Sequence, residues 1–151
     1  MQVEADNKFI SDPQFTEKIY QALDLLKTQA PWAYGNLIGT VGRIRAAQRS
    51  GTNINVVPLT IDIASPTFNA SLTWLASVLA HESVHAVQFL NKQTYTGLES
   101  EKEGNAYQLM VLRHVGAPQS EIEYMLTQKG DHFDLNKDGK YDWDDYNRRT
   151  Y

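Results

Sequence analysis

The chain has 151 residues, 42% of them hydrophobic, and a formal net charge of -4. That length suits one domain burying roughly 68–70% of its unfolded surface, enough for a core without covalent staples. The absence of cysteine excludes disulfides and thiolate metal sites, the negative balance offers no footprint for nucleic acid, and no apolar run reaches membrane-spanning length.

Ser11-Asp12-Pro13 starts a helix with Phe15, Ile19, Leu23 and Leu26 on its apolar face, and Ala30-Pro31 ends it. A short strand follows around Val41 and Ile44, and Arg49-Ser50-Gly51-Thr52 reads as a turn leading to Ile54, Val56 and Val57. Arg43, Arg45 and Arg49 fit either a solvated strand face or a patch for an acidic group. Without interleaved aromatics to stack on bases, the solvated face is favoured. Leu59-Thr60-Ile61-Asp62-Ile63 alternates as a half-buried strand does, and Pro58, lacking an N–H for a ladder, points to the edge of a sheet.

From Ser71 to Asn91 there is no Gly or Pro, and Asn69 or Ser71 is available as N-cap, which predicts a long helix. Trp74, Val78, His81, His85 and Phe89 recur on one stripe of it and are expected to point inward. Within this helix stands His81-Glu82-Ser83-Val84-His85. Imidazoles one turn apart share a face and can hold one metal ion, with zinc the leading candidate. Glu82 then lies beside the open coordination position, where it can act as general base. The structural alternative is a pair of core histidines bonded to backbone carbonyls, with Glu82 a chance neighbour.

Hydrolytic zinc sites usually take three protein ligands, so a third is needed. A second helix is predicted from near Leu98 to Gly116-Ala117-Pro118, with Glu99, Glu101 and Glu103 crowded at its start. Acidic residues favour that end of any helix. By phase, Glu101 shares a side with Asn105, Gln108 and Leu112 while Glu103 lies near Ala106, Tyr107 and Met110; either side can face inward, and Glu101 is favoured, with Asn105 able to hold its carboxylate or a ligand histidine. Glu99 and Glu103 remain alternatives.

Ser120-Glu121-Ile122-Glu123 reads as a capping box opening a helix that ends at Lys129-Gly130. Beyond it, residues 134–145 follow the EF-hand calcium loop position by position. Asp134, Asn136, Asp138, Asp142 and Asp145 supply side-chain oxygens, Lys140 a carbonyl, and Gly139 the sharp turn, before a short helix running to Tyr151. With a single such loop, the ion is expected to clamp residues 131–151 onto a catalytic body of residues 1–130.

HESVH on one helix with Glu101-Lys102-Glu103-Gly104-Asn105 on the next resembles the gluzincin branch of the zincin metallopeptidases. Gly104 stands where that family usually has Ala, and the aspartate at position 12 of the acidic loop is similar to the dockerin type. The resemblance implies an α+β, zincin-like fold: a small, mostly antiparallel sheet packed on the HESVH helix and the Glu101 helix. It implies zinc on His81, His85 and Glu101, Glu82 as general base, and an edge strand beside the metal cleft where an extended peptide can pair. A Tyr or His usually stabilises the transition state, and Tyr95, Tyr107, His114 and His132 are candidates.

The expected function is therefore a zinc-dependent peptidase stabilised by calcium, acting as a monomer on a peptide or protein. A modest-affinity calcium loop suits calcium outside cells, so an exported protein is expected, its export signal lying outside this sequence. Two other readings remain: an inactive, calcium-stabilised binding module, and a zinc amidase acting on cell-wall material.

Overall fold

A computed structural model describes residues 1–140 and 142–150, so Tyr141 and the expected end of the last helix at Tyr151 lie outside the described residues. The fold is α+β, with seven helices and one four-stranded sheet among the described residues. The sheet comprises β1 (Gln2–Glu4), β2 (Arg43–Ala46), β3 (Gly51–Asn53) and β4 (Thr60–Ile63) in the order β1-β2-β4-β3.

Two of its three pairings are parallel, β1 with β2 and β2 with β4, and only β3 runs antiparallel to its neighbour β4. The expected mostly antiparallel sheet is thus corrected. Parallel neighbours need a long crossover. Here α1 (Asp12–Gln29) and α2 (Pro31–Thr40) carry the chain from β1 to β2, and the β3 excursion carries it from β2 to β4. The strand containing Ile61 is also interior, with β3 at the edge. Pro58 lies before the first ladder residue, so its missing N–H removes no bond from the sheet.

The arginines do not form one patch. Arg45 makes paired bonds to Asp62 across the β2–β4 ladder, at 2.9 and 3.0 Å, while Arg43 meets Glu4 at 3.3 Å. Arg49 lies 5.0 Å from the ring of Tyr146. The expected solvated face is instead partly buried and ion-paired.

On the other face of the sheet, Ile44, Ile61 and Ile63 pack with Phe15, Ile19 and Leu26 of α1, Leu37 of α2, and Leu75 and Leu79 of α4 (Leu72–Leu90). Ser71 caps α4, its Oγ accepting from the Trp74 N–H at 2.9 Å. Past Asn91 the chain turns into α5 (Leu98–His114), which packs along α4.

Then α6 (Gln119–Thr127) begins without the expected capping box. Glu121 instead reaches across to Ser71 and to Thr73 Oγ1, tying the start of α6 to the start of α4. The last element, α7 (Trp143–Arg148), ends short of the expected helix terminus, since Arg149 and Thr150 are not helical. Among the described residues no helix is long and apolar enough to cross a membrane.

Candidate metal centre

Of the stripe expected to point into the core, Trp74, Val78, His81 and His85 instead floor a cleft of about 880 Å³. Trp74 and Val78 are half-buried along that floor, whereas the core-facing side of α4 is Leu75, Ala76, Leu79 and Ala80. His81 and His85 are buried at the bottom of the cleft, where α5 closes against α4.

Three groups converge there. His81 Nε2 and His85 Nε2 lie 3.1 Å apart, and the Glu101 oxygens face them at 3.3 and 3.4 Å. Glu101 Oε2 is buried, with His81 Nε2 and His132 Nε2 each 3.3 Å away. Two ring nitrogens and a carboxylate aimed at one point form a donor set that a cation could satisfy. Burial opposes charge on all of them. It favours neutral His81, but the carboxylates of Glu101 and Glu82 outweigh it and raise that histidine's pKa. It likewise pushes Glu101 up, and the hydrogen bond from His81 with the fields of His85, His81 and His132 overcomes it, holding the carboxyl at about 2.

The two alternatives to Glu101 point elsewhere. Glu99 is exposed and pairs with Lys102 at 2.9 Å. Glu103 accepts from Gln88 Nε2 at 2.6 Å and so belongs to the support of His85. His85 Nδ1 lies 3.1 Å from Gln88 Oε1 and 3.0 Å from Ser100 Oγ, while Ser100 Oγ is 2.7 Å from that same Oε1. A proton on Nδ1 donated to either oxygen leaves the Nε2 lone pair facing His81 and Glu101. Gln88 and Ser100 carry no sequence signal of this role. Asn105 is buried one turn from Glu101, but its Nδ2 donates to nothing, so the expected bond to the Glu101 carboxylate is not formed.

Gly104 explains why α5 comes this close. A Cβ there would stand 2.7 Å from His81 Cε1 and 2.8 Å from its Nε2. Gly104→Ala is expected to raise helix propensity in α5 by as much as ~1 kcal/mol. It should also push the His81 ring aside and weaken metal binding by roughly 10–100-fold, as disturbing a ligand's orientation commonly does. Circular dichroism and a metal-competition titration would show the two effects separately.

Glu82 lies at the cleft wall beside β3 and is not one of the three converging groups. Thr52 Oγ1 of that strand sits 2.7 Å from the Glu82 carbonyl oxygen and 2.8 Å from its Oε2, sharing one proton between them. The edge strand beside the histidines is therefore Gly51–Asn53, where a turn was expected.

The four candidates for a transition-state group separate. Tyr107 and His114 pack against Trp32, with ring centroids 5.0 and 5.7 Å away, and neither lines the cleft. Tyr95 and His132 do line it. His132 Nε2 is 3.3 Å from Glu101 Oε2, and burial, the largest influence, lowers its pKa against the raising field of Glu101.

The acidic loop forms a second group. Carboxylates of Asp134, Asp138 and Asp145 gather within 4.8 Å of one another. Gly139 takes φ +81, the left-handed turn expected of it. Asp134 accepts from the Asp138 and Gly139 N–H groups, and Asn136 Oδ1 from that of Asp138. Asp142 caps α7, accepting from the Asp144 N–H at 2.8 Å. Exposed Lys140 donates its N–H to Asp138 at 2.9 Å. Burial pushes the Asp145 carboxyl up, but N–H donors from Asn136, Asp142 and Leu135, with Arg148 nearby, bring it below its ordinary value.

Comparison with known protein families, curated proteins and solved structures finds no match to this chain.

Proposed function

We propose that this chain is a zincin-like metallopeptidase that holds zinc on His81, His85 and Glu101 and hydrolyses peptide bonds. One observation carries the reading: the imidazole nitrogens are 3.1 Å apart, and each has one Glu101 oxygen near it, Oε2 at 3.3 Å from His81 and Oε1 at 3.4 Å from His85. Two donors each 2.0–2.1 Å from one tetrahedral ion stand roughly 3.3–3.4 Å apart. Zinc, when bound, supplies Lewis acidity toward a carbonyl and a water of lowered pKa.

The chain's own residues supply the rest. Glu82, held by Thr52 at the cleft wall, takes the proton from the attacking water and returns it to the leaving amine. The edge of β3 offers main-chain donors and acceptors to an extended substrate. Of the four transition-state candidates, Tyr95 and His132 line this cleft, and because His132 Nε2 faces Glu101, Tyr95 is the one to donate toward a developing oxyanion. Calcium on the 134–145 loop clamps the C-terminal segment, and its modest expected affinity favours an exported protein.

Elemental analysis of the purified chain after dialysis tests the metal assignment. One zinc and one calcium per chain are expected, with zinc alone lost in His81→Ala. Calcium without zinc would favour the binding-module reading. A peptide-library digest tests the substrate, and zinc without peptide cleavage would turn attention to other amides.

A further inference from the structure

The two metal-type groups are joined by a strap of five residues, 130–134, fixed at both ends. Gly130 takes φ +82 and lies against the first turn of α5, where a Cβ would come within 3.0 Å of Lys102 Cγ, 3.1 Å of Lys102 N and 3.2 Å of Leu98 O. Asp134, at the other end, opens the acidic loop and gathers its N–H groups. Between them Phe133 is buried, and the Asp134 N–H turns back onto Asp131 O at 3.1 Å. His132 in the middle faces the cleft, with Nε2 on the same Glu101 oxygen that faces His81, at 3.3 Å from each histidine. It stands outside the three converging ligands.

We propose that His132 is a positioning residue for Glu101, set in place by the calcium loop, so that calcium occupancy tightens zinc binding at His81, His85 and Glu101. This rests on the metal assignments above. A ligand carboxylate needs a partner that fixes its rotamer, and with the His81 and His85 nitrogens turned to the metal, His132 Nε2, 3.3 Å from Oε2, is placed to be that partner. Only Phe133 separates His132 from the first loop position, and each residue spans at most about 3.3–3.6 Å, so loosening of Asp134 is passed directly to His132. Reciprocity then requires zinc to tighten calcium by the same factor.

The test measures zinc affinity of the full chain by chelator competition, with and without calcium, and records the cobalt(II) absorption spectrum of each form. In the parent chain calcium should tighten zinc roughly 10-fold or more, within the range for lost support of a metal ligand. In His132→Ala, calcium should still bind but leave zinc affinity and the cobalt spectrum unmoved. His132→Gln, which keeps an N–H donor, should recover part of the effect, and Asp134→Ala should show the calcium-free zinc affinity at all calcium levels. Equal zinc affinity with and without calcium in the parent chain overturns the coupling alone, as does full coupling in His132→Ala. A chain that binds no zinc, or no calcium, overturns it together with that metal's assignment.

Discussion

Glu82→Gln is expected to retain zinc at one equivalent while losing roughly 10²–10⁴-fold in peptide hydrolysis, the usual contribution of a general base. The two outcomes separate because Glu82 stands apart from the converging donors of His81, His85 and Glu101. Glutamine is nearly isosteric and keeps an oxygen for Thr52 Oγ1, now 2.8 Å from Glu82 Oε2, so the helix and its contact with β3 should persist. What disappears is a carboxylate able to accept a proton. Elemental analysis and initial rates on one preparation check both halves. Full activity in this variant would remove Glu82 from the mechanism, and loss of zinc would mean that it supports the ligands.

Removing calcium is expected to destabilise the chain by about 2.7 kcal/mol where the ion had been present at about 100 times its dissociation constant. For a domain of this size that lowers the melting temperature by roughly 5–10 °C. Part of the reason lies in the terminal segment's hydrogen bonds to the body. Its polar links to the body include Arg49 to Asn147 O and Arg149 to Ser50 O, both 3.4 Å, at the long limit for a hydrogen bond. Meanwhile Asp134, Asp138 and Asp145 crowd their carboxylates together, and without a cation they repel. Proteolysis should therefore begin in residues 131–150 once calcium is withdrawn. Unchanged melting and cleavage would dismiss the clamp.

Much of the site was legible in the sequence because it sits on helices with local signals. Ser71 caps α4, no Gly or Pro interrupts it, and HESVH lies at fixed phase, so the imidazole pair followed from spacing alone. Helical phase separated Glu101 from Glu103 without deciding which side faces inward, and the close approach at Gly104 shows which side meets α4.

The sheet was misread for a physical reason: its pairing depends on crossovers rather than on strand composition. At three residues, β1 is too short to show alternation, and α2 is punctuated by Gly35 and Gly39, which hid the helix that makes the β1–β2 connection parallel. Pro58 suggested an edge, but it constrains only residues that belong to the ladder. The roles of Gln88, Ser100 and Thr52, and the place of His132 beside Glu101, became visible only through contacts between elements distant in sequence.

The brevity of β3 has a consequence for selectivity. Three residues at about 3.4 Å each give a rail of roughly 10 Å, little more than one substrate residue on either side of the scissile bond. On the proposed function, such a grip favours short oligopeptides nearly as much as long chains. Preference would then arise from whichever substrate side chain settles against Trp74, Val78 and Met125, making the enzyme a trimmer of apolar-rich fragments rather than a reader of extended motifs.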